Sequence, residues 1–213
     1  MKGNLIIISS PSGGGKGTLI KEILRTVADI AYSISFTTRA LRGGEINGKD
    51  YFFVSRTEFE NLINQGEFLE FAEVHGNLYG TSIKQVKTEI KRGRDVVLEI
   101  DVQGAASVLK ILPEAVSIFI LPPSFEVLQN RLTRRATEKK TDLDLRLQNS
   151  FTEVARYQEF EYVVVNDDVA RATRDLQKII LAERLKSNRQ SIAIQGILDS
   201  FDVSKISNTG DKT

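Results

Sequence analysis

The sequence predicts an α/β protein with a parallel sheet that presents a phosphate-binding loop. Three observations lead to this prediction. The wholly apolar run Leu5–Ile8 is long enough for a strand that is buried on both faces. A glycine-rich turn that ends on Lys16 follows it, and apolar residues at helical spacing come next. Similar strand-like runs, separated by helical patterns as in parallel sheets, recur at 95–100, 116–121 and 161–166.

The loop after the first strand lies within the stretch SSPSGGGKGT, residues 9–18. Glycines let successive backbone N–H groups turn toward an anion, the helix N-terminus adds partial positive charge, and Lys16 supplies a mobile cation. Ser10 replaces the usual first glycine of such loops, and Gly17 replaces the hydroxyl residue that usually follows the lysine, so that Thr18 comes one step late. The context of strand, turn, lysine and helix still favours a phosphate site over a turn that binds nothing.

Length and composition narrow the class of protein. A chain of 213 residues with 41% hydrophobic content can bury a sizeable core, and a net charge of +1 argues against a protein that coats nucleic acid. The absence of cysteine excludes disulfides and thiolate metal sites, and His75 is the single histidine. Because the N-terminal stretch before the loop is too short for a signal peptide and no apolar run approaches about 20 residues, we expect a cytoplasmic protein without membrane contact.

Between the first helix and the next buried strand, the sequence favours an antiparallel-looking unit. Arg39 and Arg42 could bind a phosphate, because a guanidinium group forms bidentate hydrogen bonds with its oxygens. A basic loop exposed to solvent explains the two arginines about as well. Glu70 taken alone is typical of a solvent-facing strand residue. We expect strands near 31–36, 49–54 and 68–74, a turn at 77–81, and helices capped by Ser55 with Glu58 and by Ser82 with Gln85.

Two later features carry candidate chemistry. Asp101 follows a buried strand, at the edge where ligands bind in open α/β sheets. There it could order water around Mg²⁺ or hydrogen-bond to a nucleotide base, or it could simply cap the next helix. Arg131, Arg134 and Arg135 lie on the helix after Ser124, and further cations follow. A solvated helix face is the usual explanation, but a lid that brings cations over a transferring phosphoryl group explains them better here. Asp168 is expected to start a long terminal helix.

Taken together, the motifs resemble those of bacterial guanylate kinases. In chain order they read SSPSGGGKGT, SISFTTRALRGGE, GKDYFF, FLEFAEVHGNLYGTS, EIDVQGA, SIFILPPS and VVNDD. The resemblance covers Leu5 to about Arg189 and implies a nucleoside monophosphate kinase of the P-loop class. Its parts would be a three-layer core with a parallel sheet (1–34, 83–125 and 160–190), a mixed or antiparallel GMP-binding insertion (35–82), a helical lid (126–159) and a disordered tail (203–213).

The resemblance also implies an activity and a set of site residues. The reaction would be phosphoryl transfer from ATP to GMP or dGMP, giving ADP and GDP for guanine nucleotide synthesis and salvage, in a monomer or homodimer. Mg²⁺ would be held mainly through water and phosphates, with Thr18 and Asp101 nearby. The ATP site would comprise Ser12, Gly13, Gly14, Gly15, Lys16, Gly17 and Thr18. The GMP site would comprise Ser35, Arg39, Arg42, Glu45, Tyr51, Glu70, Tyr79, Thr81 and Asp101. The catalytic cations would be Lys16, Arg39, Arg131, Arg135 and Arg146.

In this interpretation Glu70, Thr81 and Asp101 read guanine. A carboxylate accepts hydrogen bonds from guanine N1–H and its amino group, whereas adenine presents an acceptor at N1 and would be repelled. Two alternatives stay open. A catalytically silent guanylate-kinase-like module would bind a partner protein, although such modules typically have a degraded phosphate loop. A related kinase would phosphorylate a ribose bisphosphate, although Glu70, Thr81 and Asp101 argue for an acceptor with a purine base.

Overall fold

The computed structural model describes residues 3–74, 76–134 and 140–201. Arg135 and the expected tail at 203–213 lie outside these ranges. The strands are Leu5–Ser9 (β1), Ile30–Tyr32 (β2), Phe36–Thr37 (β3), Phe52–Phe53 (β4), Phe68–Val74 (β5), Asn77–Ser82 (β6), Asp95–Glu99 (β7), Val116–Leu121 (β8) and Tyr162–Val165 (β9). The α-helices are Lys16–Thr26 (α1), Arg56–Asn64 (α2), Ile83–Lys91 (α3), Val102–Ile111 (α4), Phe125–Arg134 (α5), Lys140–Ala155 (α6), Val169–Arg184 (α7) and Ser191–Leu198 (α8).

The larger sheet is parallel and lies between two layers of helices. Its strand order is β2-β7-β1-β8-β9, and every neighbouring pair is parallel. On one face, Ile6 and Ile8 of β1 join a buried cluster with Leu19 of α1 and Leu176 of α7. On the other face, Ile7 joins a cluster that α3 and α4 contribute to. The α/β class predicted from the apolar runs and the three-layer core implied by the resemblance are therefore both confirmed.

The second sheet is mixed, as predicted, and has the strand order β4-β3-β6-β5. Strand β3 pairs parallel with β4 and antiparallel with β6, and β5 pairs antiparallel with β6. The turn expected at 77–81 is wrong, because that segment is strand β6. The chain reverses earlier, at Gly76 with a φ of +76°, which frees the following residues to pair with β5.

Two other strand predictions are wrong in extent. The stretch 31–36 is interrupted at 33–35, where the chain leaves the parallel sheet and enters the mixed one. Of 49–54, only Phe52–Phe53 forms a strand. The start of the stretch is a turn instead, since the N–H groups of Lys49 and Asp50 both donate to the Ile46 carbonyl, at 3.1 and 3.0 Å. The Phe53 N–H donates to Asn47 Oδ1 at 2.9 Å.

The helix starts follow local signals in the sequence. Ser55 and Glu58 form the predicted capping box, and Asp168 caps α7 by accepting from the Arg171 N–H. Ser82 caps α3, but the Gln85 side chain does not complete a box. Its amide bonds both the N–H and the C=O of Ile34 instead, at 3.3 and 3.2 Å. Within the described ranges, no helix is both long and apolar enough to cross a membrane.

Candidate functional site

The phosphate loop, residues Ser12–Thr18, joins the carboxyl end of β1 to α1. Gly13 and Gly15 have φ values of +83° and +91°, which residues with a Cβ rarely adopt. A Cβ on Gly15 would also lie 2.3 Å from Asn166 Nδ2, so both backbone and space require glycine there. No side chain caps the start of α1. The loop therefore presents a helix N-terminus in the form suited to an anion.

Asn166, which directly follows β9, fixes this loop through a hydrogen bond to its backbone. It is 2% exposed and its Nδ2 donates to the Gly14 carbonyl at 2.9 Å. Arg131 on α5 donates to the same carbonyl at 3.2 Å and to the Asn166 carbonyl at 2.8 Å. Arg131 thus lies at the predicted ATP site, where it positions backbone. Sequence reasoning misses Asn166, because nothing local in the VVNDD stretch that contains it points to the loop 152 positions away.

A carboxylate from the predicted lid also contacts the loop. The Ser12 backbone N–H donates to Glu153 Oε2 of α6 at 3.0 Å. In phosphate loops such N–H groups face anions, so Glu153 places a negative group at the rim of the predicted phosphate site. The sequence held no signal for this contact, because the two residues are 141 positions apart.

Lys16 projects toward Glu99 of the parallel sheet, and Glu99 in turn contacts Tyr32. Its Nζ lies 3.9 Å from Glu99 Oε1, with the side chains 24% and 27% exposed. Glu99 Oε2 accepts from the Tyr32 hydroxyl at 3.2 Å. Burial, followed by the nearby Glu99 charge, raises the pKa of Tyr32, so Tyr32 stays a neutral donor. The predicted cation therefore lies beside a carboxylate that a tyrosine holds in place.

Several predicted GMP residues line one cavity with Lys16. The cavity has a volume of about 180 Å³ and lies between the two sheets, at the carboxyl edge of the parallel one. A larger apolar cavity of about 330 Å³ includes Leu5, at the opposite end of β1, and no predicted site residue lines it. We therefore centre the site on the smaller, polar cavity. Its lining includes Lys16, Ser35, Tyr51, Glu70, Tyr79, Glu99 and Asp101.

Glu70 is a buried carboxylate with a strong local partner. It is 7% exposed, and its Oε1 accepts from the Thr81 hydroxyl at 2.6 Å. Burial raises the pKa of Glu70 to about 7, the Thr81 hydrogen bond opposes that rise and the Asp101 charge adds to it. Asp101 caps α4, since its Oδ1 accepts from the Gly104 N–H at 2.8 Å. A solvent-facing role for Glu70, which the strand position alone favours, is therefore wrong.

Arg39 and Glu45 form a bidentate ion pair beside this cavity. The contacts are 2.7 Å from Arg39 NH2 to Glu45 Oε1 and 3.1 Å from NH1 to Oε2. The paired hydrogen bonds raise the pKa of Arg39 and lower that of Glu45. The guanidinium also lies 5.3 Å from the centre of the Tyr51 ring. Arg39 is thus fixed beside an aromatic cavity wall.

The remaining predicted residues are placed less centrally. Arg42 is exposed and its backbone N–H donates to Glu45 Oε2 at 2.8 Å. Thr18 is exposed on the first turn of α1, and Arg146 is half-buried on α6. Arg135 lies outside the described residues. In the described part of the chain, no group of three or more His, Cys, Asp or Glu side chains could hold a metal ion.

The resemblance implies that this loop holds ATP. On that basis we predict that Asn166→Ala raises the KM for ATP about tenfold, because a loop misplaced by a fraction of an ångström loses alignment with the phosphates. The KM for the acceptor should change little, since the Asn166 side chain bonds the Gly14 carbonyl and does not line the polar cavity. Steady-state kinetics with each substrate varied in turn would measure both effects. Asp167→Ala, at the exposed neighbouring position, is the matched control. Equal increases in both KM values would contradict a loop-specific role.

Comparison with known proteins gives one consistent family. The family model described as guanylate kinase matches residues 2–183. A curated guanylate kinase from Neisseria meningitidis serogroup A is 51% identical over 199 residues, which cover 93% of this chain and 97% of that protein. One from Carboxydothermus hydrogenoformans is 46% identical over 188 residues, which cover 88% and 92%.

A solved structure agrees with these sequence matches. The crystal structure of guanylate kinase from Anaplasma phagocytophilum superposes with a TM-score of 0.77 at 36% identity, and the match covers 94% of this chain and 95% of that one. Both the sequence and the backbone are therefore similar to the same family over nearly their whole lengths.

Proposed function

This chain belongs to the guanylate kinase family, and from that membership we infer that it catalyses phosphoryl transfer from ATP to GMP, giving ADP and GDP. It is an enzyme of the nucleoside monophosphate kinase type. The observation that supports guanine as the base of the acceptor is the buried Glu70. Its carboxylate accepts a hydrogen bond from Thr81, and it lines the same cavity as Lys16.

We propose that Glu70, Thr81 and Asp101 bind the guanine edge. Guanine N1–H and its amino group are adjacent donors, and the carboxylate of Glu70 is an acceptor at a buried position. Adenine would place an acceptor against that carboxylate and leave it without a donor, which a buried polar site penalises strongly. The Thr81 hydroxyl fixes the carboxylate, so the acceptor is oriented before the base arrives.

We propose that Arg39, Arg42, Ser35, Tyr51 and Tyr79 hold the phosphate of GMP. Tyr51 and Tyr79 pack edge to face with ring centres 6.0 Å apart, and Arg39 lies over the Tyr51 ring. Glu45 keeps the Arg39 guanidinium in one orientation through two hydrogen bonds. A guanidinium oriented in this way can bind a phosphate bidentately with little further loss of side-chain freedom. In this role Glu45 is a positioning residue.

We propose that the phosphate loop holds the ATP phosphates, with Lys16, Arg39, Arg131, Arg135 and Arg146 supplying positive charge during transfer. Phosphoryl transfer depends mainly on positioning and charge neutralisation, so these residues need no general base among them. The insertion (35–82) and the lid (126–159) would be the parts that close over the substrates around the core.

The residues beside Lys16 fit a magnesium ion that is bound mainly through phosphates and water. Their donors are carboxylate and hydroxyl oxygens, from Glu99, Asp101 and Thr18, which are the ligand types that Mg²⁺ prefers. Held beside these oxygens, Mg²⁺ would supply positive charge that offsets the negative charge of the phosphates.

ADP formation from MgATP with a panel of acceptors would test this function. We expect turnover with GMP and dGMP and none with AMP, UMP, CMP or ribose phosphates. Turnover of dGMP, a role in nucleotide salvage, the cytoplasmic location and the choice between monomer and homodimer stay predictions. Folded protein that phosphorylates none of these acceptors would overturn the proposed reaction.

We predict that GMP binding weakens as the pH falls through 7. The pKa of Glu70 in the free protein is raised to about 7, and guanine needs the ionised carboxylate. One linked proton makes the Kd at pH 6 about tenfold higher than at pH 8. Calorimetric titration at several pH values would measure this. Because the GMP phosphate titrates near the same range, Glu70→Gln is the reference, and an identical pH profile in that variant would contradict the assignment.

A further inference from the structure

The carboxylate of Glu99 lies next to Gly17, between α1 and the parallel sheet. An ideal Cβ built on Gly17 would lie 3.6 Å from Glu99 Oε1 and 4.0 Å from Oε2. These are ordinary contact distances, so the carboxylate lies where a side chain on residue 17 would project. Glu99 reaches this place from β7, where its Cα is paired with that of Ile8, close to the end of the strand that leads into the phosphate loop.

Phosphate loops usually carry a hydroxyl residue directly after the lysine, and that hydroxyl lies on Mg²⁺. This chain has glycine at that position. We propose that Glu99 takes the place of the missing hydroxyl in organising the Mg²⁺–nucleotide complex. Gly17, which has no side chain, leaves room for the Glu99 carboxylate to reach that complex. The inference rests on the proposed ATP-dependent reaction, and it makes Gly17 and Glu99 a compensating pair.

The setting of Glu99 suits this role. The Tyr32 hydroxyl holds Oε2 at 3.2 Å, which fixes the carboxylate without neutralising it. The Lys16 contact to Oε1 is 3.9 Å, longer than a hydrogen bond, so this oxygen is not committed to the lysine. The side chain is 27% exposed and lines the substrate cavity, so a solvated cation could approach it. A carboxylate oxygen is a hard donor of the kind Mg²⁺ accepts directly or through water.

A different role would make Glu99 only the counter-ion of Lys16. In that case, shortening Glu99 would change nucleotide affinity equally with and without metal, because Lys16 contacts phosphates under both conditions. If Glu99 acts through Mg²⁺, only the metal-dependent part of the affinity should change. The ratio of the ADP Kd in EDTA to the ADP Kd in Mg²⁺ separates the two roles without any turnover.

The test compares Glu99→Asp, Gly17→Ser and the double variant by calorimetric titration with ADP. Asp withdraws the carboxylate by one methylene, and we expect the Kd ratio to fall about tenfold, as when a group that orients a metal is lost. Adding Gly17→Ser to Glu99→Asp should return the ratio to within about threefold of wild type, and Gly17→Ser alone completes the double-mutant cycle. The rescue is the diagnostic result, because a hydroxyl at residue 17 has no other reason to restore metal dependence.

Two results would overturn the proposal. One is an unchanged ratio in Glu99→Asp, which includes an equal loss of affinity in Mg²⁺ and in EDTA, and the other is a double variant no better than Glu99→Asp. Glu22→Asp makes the same chemical change on the outer side of α1, where Glu22 pairs with Arg25, and should leave the ratio unchanged. The acceptor panel with wild-type protein tests the reaction separately. Normal GMP turnover with an unaffected Glu99→Asp ratio would refute the pair and leave the reaction standing.

Discussion

Lys16→Ala is expected to lower turnover by about a thousandfold or more, because a positioned cation at the transferring phosphoryl group provides a large part of its stabilisation. Folding should be almost unaffected. Among the described residues its side chain has one ion-pair contact, at 3.9 Å to a carboxylate that is itself partly exposed, and such pairs contribute little to stability. Initial rates of ADP formation and thermal unfolding curves would measure the two effects.

Lys21→Ala provides the matched control for this experiment. Lys21 lies on the same helix α1 with its side chain exposed, so its removal takes away the same charge without touching the loop. It should retain wild-type rates. Substantial turnover by Lys16→Ala, in protein that unfolds at the wild-type temperature, would refute the assignment of residues Ser12–Thr18 as the phosphate loop.

Glu70→Ala is expected to raise the KM for GMP and to lower the preference for GMP over AMP by about a hundredfold or more. A site that discriminates through buried hydrogen bonds loses its selectivity when the buried acceptor is removed. The variant also leaves the Thr81 hydroxyl without the acceptor that it contacts at 2.6 Å. Values of kcat/KM for GMP and AMP, measured in parallel, give the change in selectivity directly.

Glu73→Ala on the same strand is the control, because Glu73 is exposed and its carboxylate pairs with Arg56 outside the cavity. It should keep the wild-type preference. If Glu70→Ala also kept the GMP-to-AMP preference, Glu70 would not be a guanine ligand, and Asp101 would become the first residue to test.

Much of the fold could be predicted because its signals are local. The buried strand Leu5–Ser9, the capping box at Ser55 and the cap at Asp101 each depend on residues within a few positions of one another. The prediction failed at 77–81, where pairing with β5 outweighs local turn composition. It also failed at 49–54, where the N–H groups of Lys49 and Asp50 form a turn onto the Ile46 carbonyl.

The sequence by itself determined the parallel α/β core, the phosphate loop and the family, because these depend on runs and motifs of consecutive residues. Only the tertiary structure decided which distant residues act on that loop. Asn166 lies 152 positions from Gly14, and the Glu153 contact spans 141. Likewise the burial of Glu70 and the position of Glu99 over Gly17 arise where strands from separate parts of the chain meet. Long-range packing sets these contacts, and no local pattern records it.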